Sequence, residues 1–342
     1  MNDESWEQVL PRMFAVAGIE VGSGFAVDPL TGGVSSDIVR IRMADGRDFC
    51  AKRALRKLKV ASDWQAPLER NHYEVAWLRR AGAIVPGAVP KVLGEDQAAG
   101  VALLEYLPPE RYRLWKSELL AGRVADGVAA AVADVLGRIH AATFDSPEIA
   151  AEFPTDHLIE ALRLDPYLRF TASRHPELAE PLLAVVERTA TTKRALVHGD
   201  VSPKNILIAN HDRHPVLLDA ECAWYGDPAF DAAFCLNHLV LKAVHMPALS
   251  GRLLDEAAIF GDRWLAHLPE ALRLEFMRRT AALLPCLMLA RVDGKSPVEY
   301  LSEAHRQLVR DMAMPAIQRP PASVPALLEE VRAELAAGGE RA

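Results

Sequence analysis

The chain has 342 residues, of which 50% are hydrophobic, and its 46 acidic and 39 basic side chains give a formal net charge of −7. This length and composition predict two hydrophobic cores, and the acidic balance disfavours nucleic acid as a partner. The four cysteines lack metal-site spacing, the N-terminus lacks an apolar signal region, and no apolar run reaches about 18 residues. The sequence therefore predicts a soluble cytoplasmic protein with reduced thiols and no membrane contact.

Three strands are predicted near the N-terminus, at 25–30, 37–43 and 47–53, with a hairpin turn at 44–46. The small residues from Thr31 to Ser36 predict a loop whose backbone can approach phosphate oxygens. A plain Gly-Gly turn is the alternative, because the loop lacks the full G-x-G-x-x-G spacing.

Lys52 lies on the third predicted strand. Helical periodicity from Asp63 to Arg80 places Glu74 where a glutamate can hold this lysine in position. Glu69 is the second choice as the partner of Lys52. Arg53 is the next candidate for a basic side chain that contacts phosphate, if Lys52 does not. A solvated surface lysine is the alternative interpretation.

Two more strands are predicted at 89–93 and 101–107, and the chain then becomes helical in pattern. The apolar spacing from Val128 to Thr143 predicts a buried helix. His140 on this helix is expected to be a core histidine rather than a catalytic one.

The segment from Leu196 to Asp231 carries the densest set of polar residues. Asp200 and Asn205 are separated by a proline, which predicts a loop. Apolar runs at 206–208 and 216–218 predict a hairpin that returns Asp219 toward Asn205. An aspartate that accepts a hydroxyl proton, with an Asn and an Asp to hold Mg²⁺ on nucleotide phosphates, is the arrangement of a phosphoryl-transfer site.

The residues that form a motif in this segment follow in the order His198, Gly199, Asp200, Asn205, Asp219, Glu221, Asp227 and Asp231. This order resembles the aminoglycoside phosphotransferase and choline kinase-like superfamily. The resemblance implies an α+β, bilobal protein-kinase-like fold, with an N-terminal sheet lobe at 1–107, a mainly helical lobe at 108–317 and an extension at 318–342. It also implies an enzyme that uses ATP and Mg²⁺ to phosphorylate a hydroxyl group of a small molecule.

The resemblance assigns roles to the polar residues of the loop and hairpin. Asp200 would orient the acceptor hydroxyl and take its proton, and Asn205 and Asp219 would hold Mg²⁺. Glu221 would serve a second metal or its waters, or else face solvent. Lys204 would reach the γ-phosphate, or else be solvated. His198 is expected to brace the loop.

The nucleotide side of the site is assigned in the same way, with Lys52 as a phosphate ligand positioned by Glu74. Backbone amides of Gly32, Gly33, Ser35 and Ser36 would contact phosphate oxygens. The backbone of Glu105, Tyr106 and Leu107 resembles a kinase hinge that holds a purine, although an ordinary strand end is equally compatible with this segment.

Two aspartates near the end of the segment are expected to be structural. Asp231 resembles the buried aspartate that fixes the catalytic loop in related kinases. Asp227, before Pro228, fits a helix N-cap followed by proline at the first helical position.

The sequence departs from the family pattern at three points. Ser202 stands where antibiotic kinases usually have His, and Lys204 stands where they usually have Gly. The metal segment is Asp-Ala-Glu rather than the Asp-Phe-Gly of protein kinases, and no activation segment with Ala-Pro-Glu follows it. Protein substrates are therefore disfavoured.

The acceptor is predicted from the C-terminal helices. Residues 241–312 contain ten Lys or Arg and nine acids, without the clustered carboxylates expected around an aminoglycoside. A neutral or anionic hydroxylated metabolite is therefore favoured; an antibiotic, or a non-catalytic nucleotide-binding role, is the alternative. Arg291, Asp293 and Lys295 are predicted to form a substrate clamp, or else a plain turn, and Trp224 to flank the substrate, or else the core.

The C-terminal end carries no recognisable chemistry. A helix is predicted at 326–337, and the final AGGERA is expected to be disordered.

Overall fold

The computed structural model describes residues 4–30, 36–55 and 67–339. A five-stranded antiparallel sheet occupies the N-terminal part, with the spatial order β1-β2-β3-β5-β4. Helix α1 (Trp6–Val16) precedes the sheet and α2 (Arg70–Ile84) connects two of its strands. The strands are β1 (Phe25–Pro29), β2 (Ser36–Met43), β3 (Asp48–Ala54), β4 (Val92–Asp96) and β5 (Val101–Glu105).

The central position of Lys52 follows from the strand register. Lys52 pairs with Ile38 of β2 on one side and with Ala102 of β5 on the other. The predicted hairpin turn lies between β2 and β3, where Gly46 has a φ of +88°, a backbone angle that glycine adopts without a Cβ penalty. The sheet thus holds Lys52 on a middle strand.

Helix α1 covers one face of the sheet and was not predicted from the sequence. Val9, Leu10 and Phe14 of this helix are buried in one hydrophobic core with strand residues such as Ile41 and Leu103. This core is separate from a larger one, which extends through the helical part and also includes residues of α2 and β5. Two cores were predicted from the composition.

The rest of the described chain is mainly helical and is built around α9 (Pro228–His245), whose residues 228–244 are all buried. Two small antiparallel sheets accompany the helices, with orders β10-β7 and β6-β8-β9. The small strands are β6 (Tyr112–Leu114), β7 (Ala195–Val197), β8 (Ile206–Ala209), β9 (Pro215–Leu217) and β10 (Trp224–Gly226). The helices are α3 (Trp115–Leu120), α4 (Val128–Thr143), α5 (Pro147–Glu152), α6 (Asp156–Ile159), α7 (Phe170–Arg174), α8 (Ala179–Thr191), α10 (Ser250–His267), α11 (Glu270–Asp293), α12 (Glu303–Gln318) and α13 (Val324–Gly339).

The predicted α+β class is confirmed, and the differences lie at element ends. Strand β4 begins at Val92 rather than at residue 89, since Pro90 has no amide for a strand ladder. Helix α2 begins at Arg70, and part of the earlier predicted start lies outside the described residues. Disorder from Ala337 onward was wrong for the backbone of 337–339, which continues α13; residues 340–342 are outside the description.

Candidate functional site

The loop that carries Asp200 is fixed from below by Asp231. The backbone amides of His198 and Gly199 donate to the two carboxylate oxygens of Asp231, at 2.7 and 2.8 Å. Gly199 has a φ of +76°, and a Cβ there would lie 2.6 Å from the carbonyl oxygen of Cys222. Only glycine fits this close approach, so the loop backbone requires glycine at position 199.

Two histidines support this arrangement, and both structural expectations are confirmed. His198 accepts from the Asp200 amide at Nδ1 (3.1 Å), so Nε2 carries the proton and donates to the Leu218 carbonyl (3.0 Å). Burial lowers the pKa of His198, which keeps this tautomer neutral. His140 lies 3.2 Å from Asp231 through Nε2.

Asp200 is buried between two cations. Its Oδ2 lies 2.8 Å from Nη2 of Arg163 and 3.0 Å from Nζ of Lys204. Burial would raise the pKa of the Asp200 carboxyl, but Arg163 and Lys204 outweigh burial and hold the pKa below its usual range. Its Oδ1 is buried and has no hydrogen-bond partner within the described ranges. One oxygen of an ionised carboxylate is therefore available to an acceptor hydroxyl.

Asn205 and Asp219 lie next to each other because their segments pair. The Leu218 amide donates to the Asn205 carbonyl at 2.8 Å. The side-chain nitrogen of Asn205 donates to the Asp200 carbonyl at 3.1 Å, which leaves the amide oxygen as the atom for a cation. Asp219 has a φ of +65°, a left-handed conformation that is uncommon outside glycine and frequent at functional sites.

The donor set of Asn205 and Asp219 fits Mg²⁺, a cation that prefers oxygen ligands and keeps several waters. Burial would raise the pKa of Asp219, but Lys52 and Lys204 outweigh it and keep the carboxylate ionised. Within the described residues no three His, Cys, Asp or Glu side chains cluster as a metal site. The remaining ligands of a cation held by Asn205 and Asp219 would come from water or from a nucleotide.

Lys52 joins the sheet to this pair. Its Nζ lies 2.8 and 2.7 Å from the two Glu74 carboxylate oxygens and is also hydrogen-bonded to Oδ1 of Asp219. Burial would lower the pKa of Lys52, but Asp219 and Glu74 reverse the shift and raise it above its usual range. Burial raises the pKa of Glu74, and Lys52 opposes that shift. The predicted lysine–glutamate pair is present, and the solvated alternative is wrong because Lys52 is buried.

The second-choice residues lie elsewhere. Glu69 pairs with His157 at 2.5 Å on the surface. Arg53 donates to the Glu4 carbonyl at 2.6 Å and reaches Asp37. Neither residue approaches the site through these contacts.

Glu221 is paired with Arg70 of α2, whose Nε donates to Oε2 at 3.0 Å. Glu221 is buried, so the alternative in which it faces solvent is wrong. Because Arg70 already neutralises this carboxylate, a metal would have to share it. The metal role of Glu221 stays a prediction.

The predicted phosphate loop lies mostly outside the described residues, which applies to Gly32, Gly33 and Ser35. Ser36 opens β2, and its buried Oγ has no hydrogen-bond partner in the part of the chain that is described. At the predicted hinge, the Glu105 amide already donates to the Lys91 carbonyl at 2.8 Å. The purine contact through the backbone of Glu105, Tyr106 and Leu107 stays a prediction, in which Glu105 would take part through its carbonyl.

The predicted substrate residues are distributed over several environments. Trp224 is fully buried and donates to Asp156 at 2.6 Å, which favours the core alternative. Asp293 accepts from Arg310 at 2.9 Å and lies 2.9 Å from His175, so it joins α11 to neighbouring elements rather than facing a ligand.

Lys295 and Arg291, the two basic residues of the predicted clamp, also lie in different environments. Lys295 pairs with Asp165 at 2.9 Å on the surface. Arg291 donates to the carbonyl of Ser296 and to the Tyr167 hydroxyl (3.2 Å), and its buried Nε has no hydrogen-bond partner in the described ranges. Of the predicted clamp residues, the half-buried Arg291 therefore remains the candidate for substrate contact.

Arg163 is the site residue that the sequence analysis missed. It lies on a π-helical segment, Glu160–Arg169, which contains Pro166. Its position four residues after Ile159 and four before Tyr167 puts it on the buried face. An arginine on an apolar helix face, close to a proline, was the available signal.

Comparisons with known proteins show what this chain is similar to. The phosphotransferase enzyme family matches residues 26–250. The chain is 25% identical over 215 residues to methylthioribose kinase of Pectobacterium atrosepticum, covering 56% of this chain and 53% of that protein. It is 24% identical over 256 residues to methylthioribose kinase of a Geobacillus species, covering 65% and 63%. The chain thus spans about half the length of the first curated relatives it matches.

A solved structure supports the fold. Ethanolamine kinase of Plasmodium vivax superposes with a TM-score of 0.54 at 12% identity, covering 86% of this chain and 84% of that one. At that identity the likeness is one of fold alone. Across the described ranges, no helix has the length and apolarity that crossing a bilayer requires.

Proposed function

The chain belongs to the phosphotransferase enzyme family, and from this premise we propose that it transfers the γ-phosphoryl group of Mg-ATP to a hydroxyl group of a small hydroxylated metabolite. The observation that carries the proposal is the arrangement around Asp200. The ionised Asp200 carboxylate, one oxygen of which has no hydrogen-bond partner among the described residues, lies in the same loop as Asn205. Asn205 pairs by backbone with the segment that ends at Asp219. These are the parts that in-line phosphoryl transfer requires.

The nucleotide would be held by Lys52, Ser36 and the pair formed by Asn205 and Asp219. Mg²⁺, when bound, supplies charge neutralisation for the phosphate oxygens. Lys52 gives a fixed positive charge because Glu74 holds its ammonium at two points. Its present bond to Asp219 would be exchanged for phosphate contacts when a nucleotide binds.

Asp200 would orient the acceptor hydroxyl through Oδ1 and accept its proton late in the reaction. The transition state of phosphoryl transfer is loose, so positioning matters more than base strength. The low pKa of Asp200 is compatible with this role, because a weak base still orients the nucleophile. Lys204 is close enough to Asp200 to reach the transferred phosphoryl group from the same side.

The acceptor class follows from charge. Residues 241–312 carry ten basic and nine acidic side chains, so a polycationic aminoglycoside would meet no net attraction there. Antibiotic phosphorylation is the second candidate, favoured by the family match alone. A non-catalytic nucleotide-binding role is disfavoured, since Asp200, Asn205 and Asp219 are all present.

A coupled assay of ADP release with a panel of sugars, amino alcohols, hydroxy acids and aminoglycosides tests the proposal. We expect at least one hydroxylated metabolite to give Mg²⁺-dependent turnover that Asp200→Asn removes. The matched control is Asp212→Asn, a change to an exposed turn residue, which should leave turnover unchanged. Turnover of aminoglycosides alone would replace the metabolite assignment by the antibiotic one.

A further inference from the structure

Lys242 is buried on α9, and the described residues offer it no counter-ion. The residue is 1% exposed, and its Nζ makes one long hydrogen bond, 3.4 Å, to the His238 carbonyl one turn earlier. No carboxylate in the described ranges lies within ion-pair distance of it. A charged group taken out of water without a partner is costly, so this lysine has no evident structural purpose.

The side chains that face Lys242 come from several elements and are mostly basic. The positive charges of Lys116 in α3 and Arg291 in α11 both lower the pKa of Lys242. The Nζ atom of Lys242 lies 5.2 Å from the centre of the Tyr300 ring. The acid nearby, Glu299, is already paired with Lys116. The Tyr300 hydroxyl and Arg291 Nε are buried and have no hydrogen-bond partner among the described residues.

Three histidines and a cysteine complete these surroundings. His238 lies on the same helix, and the His245 ring packs against Tyr300 and His305, with ring centres 5.1 and 5.9 Å away. Burial lowers the pKa of His238, and Lys242 acts in the same direction, so this imidazole is neutral. The thiol of Cys235 is neutral too, because burial raises its pKa above its usual range.

Burial and the charges of Lys116 and Arg291 together lower the pKa of Lys242 to about 7, although Cys235 and Glu299 oppose the shift. The amine therefore changes charge near neutral pH. An anion placed among these donors would favour the ammonium form, occupy the free hydroxyl of Tyr300 and the free Nε of Arg291, and remove the cost of the unpaired charge.

Contacts of aromatic rings connect the proposed base with the helix that carries Lys242. Arg163, which pairs with Asp200, has its guanidinium 5.7 Å from the Phe234 ring, and that ring lies 5.4 Å from His238. Lys242 follows Phe234 by eight residues on the same helix, which is about 12 Å of helix rise, and its side chain leans back toward the N-terminus.

A second set of contacts connects Arg163 with the basic group. The Tyr167 ring lies 5.5 Å from the Arg163 guanidinium and 5.4 Å from that of Arg291. Tyr167 therefore contacts both Arg163, which pairs with Asp200, and Arg291 of the basic group.

We propose that Lys242, Arg291 and Tyr300 bind an anionic group, a carboxylate or a phosphate monoester, carried by the acceptor at a distance on the order of 10 Å from the hydroxyl that is phosphorylated. This inference rests on the proposed function. An extended chain advances about 1.2 Å per bond, so the hydroxyl and the anionic group would be separated by roughly eight bonds.

Matched pairs of small molecules test the proposal by binding, without nucleotide. The probes are 8-hydroxyoctanoate with its neutral methyl amide, and glucose 6-phosphate with glucose, measured by calorimetry and thermal shift. In the parent protein we expect one anionic probe to bind roughly ten- to a hundredfold more tightly than its neutral partner. Lys242→Met should abolish that preference, and Lys193→Met, which changes an exposed lysine paired with Asp156, should keep it.

Protonation gives a second readout. At pH 8 the anionic probe should bind with proton uptake, detected by comparing buffers of different ionisation heat, and Lys242→Met should remove this uptake. Equal affinity for both members of every pair, or an anion preference that survives Lys242→Met, would overturn the inference. Inorganic phosphate binding as tightly as the larger anions would also count against it, since the site would then hold a free ion and not the acceptor.

The two proposals fail in different ways. Lys242-dependent anion binding without ADP release from any acceptor would count against phosphoryl transfer and leave the anion site standing. Turnover of neutral acceptors, with KM values unaffected by Lys242→Met, would leave phosphoryl transfer standing and contradict the anionic acceptor.

Discussion

Arg163 and Asp200 form a buried ion pair, with Nη2 of the guanidinium 2.8 Å from Oδ2 of the carboxylate. Arg163 also donates to the Gly199 carbonyl at 2.7 Å, so one side chain fixes both the backbone and the charge of the proposed base. The π-helical segment that carries Arg163 therefore positions the catalytic loop from the helical side.

The first prediction concerns this pair. Arg163→Met removes the charge that lowers the pKa of Asp200, so that pKa should rise, and the acid limb of the kcat/KM profile should move to higher pH. Removing one partner of a buried pair should also reduce the free energy of unfolding by about 3 to 5 kcal/mol. Arg163→Lys, which keeps the charge, should leave the acid limb near its original place. An unchanged limb in a folded Arg163→Met protein would show that Arg163 has only a structural role.

The second prediction separates Glu74 from Glu69. Glu74→Gln should lower kcat/KM for ATP on the order of 100-fold, because a neutral partner no longer positions Lys52 against phosphate. Glu69→Gln alters an exposed pair with His157 and is the matched control, with no expected change. Equal effects of the two substitutions would remove Glu74 from the nucleotide site.

The third prediction tests the metal pair. Asp219→Ala should abolish Mg²⁺-dependent nucleotide binding together with turnover, since Asn205 alone offers one neutral oxygen. Titration of Mg²⁺ into the variant with ATP present is the measurement. A normal Mg²⁺ dependence would contradict the assignment of Asp219.

The fourth prediction uses the lowered pKa of Lys242, about 7, against an unfolded value of about 10.4. Between these two values the unfolded chain binds a proton that the folded chain does not, so this group's contribution to stability is lost as pH falls from about 10.4 to 7. Lys242→Met removes that loss. The variant should therefore gain most in thermal midpoint over the parent near pH 7, and the gain should shrink toward pH 10.

Differential scanning calorimetry at three pH values, with Lys193→Met as the control, checks this. A difference in midpoint that is independent of pH would mean that Lys242 has no depressed pKa. In that case the binding measurements alone would test whether Lys242 belongs to an anion site.

The sequence predicted the parts of the site that are set by local patterns. Lys52 was placed by strand alternation and Glu74 by helical spacing, and the structure joins them at 2.7 and 2.8 Å. Asn205 and Asp219 were brought together by a predicted hairpin, which β8 and β9 form. In each case a short stretch of backbone geometry determines where the side chains lie.

The parts that were missed depend on contacts between distant segments. Arg163 meets a loop 36 residues later through a π-helical turn, and Arg70 meets Glu221 across 151 residues. Neither pairing leaves a periodic signal. Lys242 was missed for another reason: a lysine near the end of a helix is normally solvent-exposed, and only packing on all sides of α9 buries it.

The most direct test of the account is ADP release by Asp200→Ala with the best acceptor from the panel, beside ATP affinity measured on the same protein. Because Asp200 is proposed to contact the acceptor and not the nucleotide, turnover should fall below about one percent of the parent value, while ATP affinity stays within a few-fold. Turnover above that level would contradict the role of Asp200 as the residue that receives the hydroxyl proton.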